Sequence, residues 1–391
     1  MFLGRFPDRT VSPLLDKTCL VLTHILLHDF RNIPDATLTP ANGINLILGE
    51  NGSGKTSVLE AIFMLAMGRS FRSRNIKNIV RKDQQRLTVF ARSSDQTPIG
   101  LQFDISSGLQ IRLNNAPLKR LSDLATHLPL QFIPANCHQF FELGPRFRRR
   151  MLDWGVFHVE HHFNFHWQSY KKVVQQRNSA IKQRKPINEI QTWDKYMLEH
   201  GLLISKMREG YLRAMLDEFK PIFAALCPEL TQSEFTLRYL RGWNKDIEFE
   251  QFLRDNLERD RALGYTRSGP HAADWSLRID GSDPYEMLSR GQQKLFFLGL
   301  SVAQIKILVK QKQIQNTILL IDDLSSELDW QHQATVIKVL RTLPTQTFIS
   351  STNLELEELL EAAADKKFHV KHGAVSDKSM QAINTRADIV E

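Results

Sequence analysis

Gly49-Glu50-Asn51-Gly52-Ser53-Gly54-Lys55-Thr56 fits the pattern G-x-x-x-x-G-K-[ST], whose residue types are those needed to hold a polyphosphate. Glycine at three of these positions lets the backbone turn tightly, so successive N–H groups can point at phosphate oxygens. A following helix N-terminus adds partial positive charge. Lys55 has the reach for β- and γ-phosphates, and the Thr56 hydroxyl is a ligand for Mg²⁺. The flanks agree. Ile44 to Leu48 is apolar enough for a buried strand, and Ser57 to Leu65 has helical periodicity. A ligand-free glycine turn would not require Lys and Thr at these offsets, so ATP and Mg²⁺ are the expected ligands.

Two further strings extend this chemistry. Ile318-Leu319-Leu320-Ile321-Asp322-Asp323 is an apolar strand ending in two carboxylates. Beside a phosphate loop, the first acid at such a strand end helps hold Mg²⁺. That role falls to Asp322, with Thr56 as the other metal ligand. A second acid can orient the attacking water, which makes Asp323 the catalytic candidate. Leu288-Ser289-Arg290-Gly291-Gln292 lies upstream, Ser289 preceding Asp322 by 33 residues, and leads into a helical pattern. It is close to the Leu-Ser-Gly-Gly-Gln signature of ABC-type ATPases, in which a hydroxyl and backbone N–H groups at a helix start close on the γ-phosphate held by another subunit. Ser289, Arg290, Gly291 and Gln292 are therefore candidates for action in trans. Ser326-Glu327-Leu328-Asp329 resembles the D-loop of the same class.

The elements that must position these residues come from both ends of the chain. Residues 20–30, 87–90, 99–105, 109–113, 317–321 and 346–350 read as strands. From about 145 to 260 glycine nearly disappears, and Lys, Arg, Gln, Glu, Leu and Met recur at helical spacing. Gly144-Pro145 and Gly264 to Pro270 mark the limits of this stretch. The expected fold is α/β: an ABC-type phosphate-loop head formed by residues 20–144 with 265–391, and an inserted, mainly helical lobe at 145–264. Residues 1–19 read as a flexible extension. The chain has 391 residues, 42% of them hydrophobic, and a net charge of +8 that favours a polyanionic partner. Cys19, Cys137 and Cys227 are far apart and odd in number, which fits a reducing, cytoplasmic setting better than disulfides or a zinc cluster. No apolar run spans a membrane, and charged residues interrupt the N-terminus as they would not in a signal peptide.

With these motifs in view the chain resembles the RecF family of bacterial DNA recombination and repair ATPases, from about Leu20 to about Gly373. Family-like segments are His28-Asp29-Phe30-Arg31-Asn32, Gly68-Arg69-Ser70-Phe71-Arg72-Ser73, Arg149 to Gly155, Gln175-Gln176-Arg177-Asn178 and Tyr265 to His271. The resemblance implies an ABC-type head with a helical lobe and an ATP-dependent homodimer. It implies binding to DNA at gaps and single-strand/double-strand junctions, and weak, DNA-stimulated ATP hydrolysis. It also implies work with RecO and RecR in loading RecA, in SOS induction and in recovery of replication. Three departures stand out. The segment that usually carries Pro-Glu reads Pro134-Ala135-Asn136-Cys137, leaving Asn136 or Gln131 as substitutes for its ligand. No switch histidine follows the strand at 346–350, where Ser350-Ser351-Thr352 offers hydroxyls instead. Residues 1–19 have no family counterpart.

Basic runs at 69–82, 146–150 and 171–185 suit phosphate neutralisation, although a solvated helix face has the same composition. Arg148, Arg149, Lys171, Lys172 and Arg177 are the candidate DNA contacts, while Arg69 and Arg72 could instead brace the nucleotide. His158, His161, His162 and His166 have helical spacing that could hold a metal. Without a Cys or a His-Glu-x-x-His pattern, a partly buried aromatic face is the better reading.

Overall fold

The computed structural model describes residues 21–312, 317–361 and 364–377. The expected N-terminal extension at 1–19 lies outside them. The first third runs β1 (Leu22–Phe30), β2 (Ile33–Leu38), β3 (Ile44–Leu48), α1 (Lys55–Met67), β4 (Arg86–Ser93), β5 (Pro98–Asp104), β6 (Gly108–Leu113) and β7 (Ala116–Pro117). It continues with α2 (Leu121–His127), β8 (Leu130–Ile133) and α3 (Gln139–Glu142). A helical stretch follows, with α4 (Pro145–Val159), α5 (Phe163–Lys182) and α6 (Ile187–Leu226), then β9 (Phe235–Leu240), α7 (Phe249–Asp255) and α8 (Leu257–Leu263). The chain closes with β10 (Asp274–Ile279), α9 (Pro284–Met287), α10 (Arg290–Lys312), β11 (Thr317–Ile321), α11 (Trp330–Arg341), β12 (Thr345–Ser351), β13 (Lys366–Lys371) and β14 (Ala374–Asp377).

Two six-stranded sheets carry the head. One is antiparallel, in the order β2-β1-β4-β5-β6-β7; the other runs β14-β13-β3-β12-β11-β8 and is parallel except at β14. Parallel strands covered on both faces must be apolar along their whole length. β3 and β11 are buried at every residue. Their side chains divide by parity. Ile47, Ile318 and Leu320 join a core with α1 and the antiparallel sheet, whereas Leu46, Leu48, Leu319 and Ile321 join a core with α10 and α6.

That second core does not stop at the head. It takes in Val156 of α4, Tyr170 of α5, and Phe219 and Phe223 of α6 beside Phe296 of α10. The 40-residue α6 is the spine of the helical region and tolerates Pro221 near its end. β9 pairs with β10 in a separate two-stranded sheet, so a strand beyond residue 264 completes a sheet begun inside the helical stretch. The strands β2, β7, β8, β9, β10, β13 and β14 were not anticipated from sequence.

Candidate functional site

Thr56 is the second residue of α1 and Asp322 follows β11, yet the Thr56 hydroxyl donates to the Asp322 carboxylate at 2.9 Å. The adjacent pairing of β3, β12 and β11 produces this contact, because parallel strands deliver their C-terminal ends to one edge. The edge opens into a cleft of about 510 Å³. Asn51, Gly52, Gly54, Lys55, Thr56, Asp322 and Asp323 line it, together with Arg31, Asn32, Arg72, Ala135 and Ser350.

The loop is built for close approach. A Cβ on Gly49 would lie 2.3 Å from the Val370 carbonyl oxygen of β13. Gly54 has φ +123°, a conformation that favours glycine. Asn32 staples the loop from outside: its amide donates to the Ser53 carbonyl at 2.9 Å and its oxygen accepts from the Ser57 hydroxyl at 3.2 Å. The Lys55 ammonium donates to the Gly49 and Glu50 carbonyls at 2.8 and 2.9 Å. Burial lowers its pKa, opposed by the nearby Asp323 and Asp322 carboxylates. The Ser53 hydroxyl is buried without a partner.

The donor set fits Mg·ATP. A buried, partnerless hydroxyl, a cation on the loop carbonyls and two hard oxygen donors in contact are what a triphosphate with Mg²⁺ requires. Asp322 also accepts from Ser350 at 2.8 Å, and the same hydroxyl accepts from the Asp323 N–H at 2.8 Å. Ser350 thus lines the cleft and ties the two acids together. Asp323 has φ +52°, a left-handed conformation that aspartate tolerates better than most residues.

The sequence suggests that Arg72 could brace the nucleotide, but it carries no reading of a role for Glu60 or Lys294. Glu60 is fully buried on α1 and receives a bidentate pair from Arg31 at 2.8 and 3.0 Å. Ser70 donates to the same carboxylate, and Arg72 lies 3.7 Å from it. Lys294, fully buried on α10, donates to the main-chain oxygens of Asp323 at 2.6 Å and Ser326 at 2.7 Å. An ammonium bridging the loop after β11 to α10 is a tertiary contact. Only the lysine's position on a helix was legible.

The signature lies outside this cleft. Ser289 caps α10 reciprocally: its hydroxyl accepts from the Gln292 N–H at 3.2 Å, and its own N–H donates to the Gln292 side chain at 3.0 Å. Gln292 also donates to Glu229, and Arg290 approaches Glu142 at 3.5 Å. Gly291 packs under the D-loop, where a Cβ would lie 2.6 Å from the Glu327 carbonyl oxygen. Ser289 and Arg290 are exposed.

Some expectations need correction. Arg177 has no exposed surface; it donates to Asp194 at 2.7 Å, Asp260 at 2.6 Å and Thr266 at 2.8 Å. A guanidinium spent on two buried carboxylates does not reach DNA. Arg148 is likewise bidentate to Asp274, and Arg149 donates to the Ala273 carbonyl. Lys171 and Lys172 are exposed on α5. Gln131 and Asn136 do not line the cleft; Ala135 does, and the Gln131 amide donates to Gln304 at 2.7 Å. The histidines do not share one helix. Glu160 ends α4 after His158, and His166 lies on α5, 3.0 Å from His200. Among the described residues no group of three or more His, Cys, Asp and Glu side chains is arranged to hold a metal. No described helix is long and apolar enough to cross a membrane.

Comparison with known proteins follows the same lines. Residues 21–376 match the RecF/RecN/SMC N terminal domain model. The chain is 38% identical over 359 residues to the DNA replication and repair protein RecF of Shewanella frigidimarina, covering 91% of this chain and 99% of that protein. It is 37% identical over 361 residues to the RecF of Nitrosococcus oceani, with the same coverage. The solved structure of the recombination mediator protein RecF-ATP in the RecFOR pathway superposes with a TM-score of 0.79 at 26% identity, over 92% of this chain and 98% of that one. An Smc head domain from Pyrococcus furiosus shares the fold, with a TM-score of 0.56 at 15% identity over 95% of this chain and 100% of that one. The chain belongs to the RecF family.

Proposed function

We propose that this chain is an ATP-dependent, DNA-binding protein of recombinational repair and replication recovery, acting as an ATP-gated homodimer. The observation that carries the reading is the Thr56–Asp322 contact at the mouth of the phosphate loop, with Lys55 and Asp323 in the same cleft. The relatives' names and the ATP-bound neighbour support the repair role and the nucleotide.

Mg²⁺ would be held by Thr56 and Asp322 and would supply charge neutralisation for the triphosphate. Lys55 supplies a second cation, and Asp323 orients the attacking water. Ser289, Arg290, Gly291 and Gln292 of a second copy cover the γ-phosphate. The dimer then forms only in the state whose triphosphate both copies touch, since a ligand shifts an equilibrium by its differential affinity alone. Asp323 is one methylene shorter than the glutamate common in ABC-type ATPases, which suits a slow, DNA-stimulated timer. Gapped or junction DNA, RecO and RecR as partners, RecA loading and SOS induction are carried over from the family, and a cytoplasmic location goes with them. The division into a head (20–144 with 265–391) and a lobe (145–264) belongs to the same proposal.

Light scattering after size exclusion, with ATP or ADP and with or without gapped DNA, tests nucleotide, dimer and substrate together. The mass should double with ATP, remain single with ADP, and hold the doubled value longer on gapped DNA. An unchanged mass in every nucleotide state would sink the gated dimer.

A further inference from the structure

A second cavity, of about 340 Å³, shares no lining residue with the nucleotide cleft. Phe252 of α7, Asn256, Arg259 and Asp260 of α8, and Arg267 and Ser268 line it. The last two belong to the family-like segment Tyr265 to His271, most of which is held from behind. The Thr266 N–H donates to Asn178 at 2.6 Å, and its hydroxyl accepts from Arg177 at 2.8 Å. The Gly269 N–H donates to the Gly242 carbonyl at 3.0 Å, and a Cβ on Gly242 would lie 2.0 Å from the Gly269 oxygen. The Pro270 carbonyl accepts from Arg208 at 2.6 Å, and His271 lies 2.8 Å from the Tyr170 hydroxyl. A wall so fixed is preorganised for a ligand.

Arg267 and Ser268 differ from their neighbours. Their side chains, like that of Arg259, have no partner among the described residues, and both arginines are exposed. Asp260, the carboxylate in the lining, is already occupied. One of its oxygens accepts from Arg177 at 2.6 Å and the other from the Arg267 N–H at 3.1 Å. Two unpaired guanidiniums and a hydroxyl at one cavity make a seat for a phosphate. The volume suits a small organic molecule better than a bare ion. The rest of the lining includes half-buried Phe252, an aromatic face. Beside it the Asn256 amide donates to the Phe252 carbonyl at 2.9 Å, leaving its side-chain oxygen as an acceptor. An aromatic face and an amide are the groups that take up an unstacked base.

We infer that this cavity binds one nucleotide of a single strand, its phosphate on Arg259 and Arg267 and its unstacked base against Phe252. The inference rests on the DNA-binding reading above and gives the site to the single-stranded arm of a gap. A paired base stays in its stack and does not enter a cavity, so duplex passes the site by.

Fluorescence anisotropy over a salt series, with ATP present, tests it on labelled oligothymidine and on a labelled blunt duplex. Arg259→Ala/Arg267→Ala should bind oligothymidine about tenfold more weakly, with a slope of log affinity against log salt flatter by about 0.7, the share of one single-stranded phosphate. Phe252→Leu should lose about fivefold at an unchanged slope, because stacking is not a charge effect. Both variants should bind blunt duplex as wild type does. A double-alanine variant that keeps wild-type affinity for oligothymidine, or that loses duplex binding equally, overturns the pocket. So does displacement of oligothymidine by thymidine monophosphate at the same nucleotide concentration, which would make the ligand a free nucleotide. Wild type that binds duplex but not oligothymidine overturns the pocket alone. Wild type that binds neither in any nucleotide state overturns the DNA reading, and the pocket with it.

Discussion

At the scale of single residues, the proposed roles separate holding ATP from hydrolysing it. Lys55→Ala removes the loop's cation, so it should abolish both ATP binding and ATP-dependent doubling of mass, read by nucleotide fluorescence and light scattering. Asp323→Asn keeps the shape and loses the base. Hydrolysis should fall by roughly 100-fold or more while the ATP dimer outlives that of wild type; undiminished phosphate release would remove Asp323 from that role. His158 tests the fold rather than the chemistry. Burial lowers its pKa to about 4. The unfolded chain therefore binds a proton that the folded chain refuses between about pH 6.5 and 4, and the stability contributed above pH 6.5 is lost as pH falls through that window. The loss approaches about 3 kcal/mol, and His158→Leu should make denaturant midpoints less sensitive to pH over that range. What was legible at this scale was whatever forms a contiguous string: the phosphate loop, Asp322-Asp323 and Ser289 to Gln292. Glu60, Asn32 and Lys294 were not, because a buried carboxylate, a stapling amide and a bridging ammonium acquire meaning only when distant segments meet.

At the scale of elements, α10 links two functions. Its first turn presents the signature, and its second residue packs under the D-loop. Gly291→Ala puts a methyl where the Glu327 carbonyl sits. Nucleotide binding to the monomer should survive while ATP-dependent dimerisation is lost, and a variant that dimerises as wild type would show that the D-loop simply yields. Arg177 joins α5 and α6 to α8 and the residues after it. Removing it leaves Asp194 and Asp260 buried without their partner, so Arg177→Ala should cost about 3–5 kcal/mol in denaturant unfolding. Elements with a strong local period, such as α1, α6 and β11, were readable in advance. β8 and β10 were not: the strand character of each depends on the neighbour it pairs with.

At the scale of the whole molecule, head and helical region share one hydrophobic core rather than touching at a seam. Val156, Phe219 and Phe223 pack in the same cluster as Leu319 and Ile321. A fragment of residues 145–264 would expose that surface and leave β9 without β10. It should lack a cooperative thermal transition by circular dichroism, whereas the full chain should melt in one main step through this core. The composition change near 145 and 264 was legible because helix and strand periodicities differ. The shared core was not, because periodicity gives a buried face without naming what covers it.

Lys294 has one further consequence. It grips the main chain of Asp323 and Ser326 from the helix whose tip, in the proposed dimer, would close over the neighbour's nucleotide. In the proposed dimer each copy is then a lever with a nucleotide at both ends, and whatever loosens one end is felt at the other. ATP saturation should accordingly be sigmoidal, with a Hill coefficient approaching two, the number of sites. Lys294→Met should bring that coefficient back toward one while leaving Lys55 and Thr56 in place.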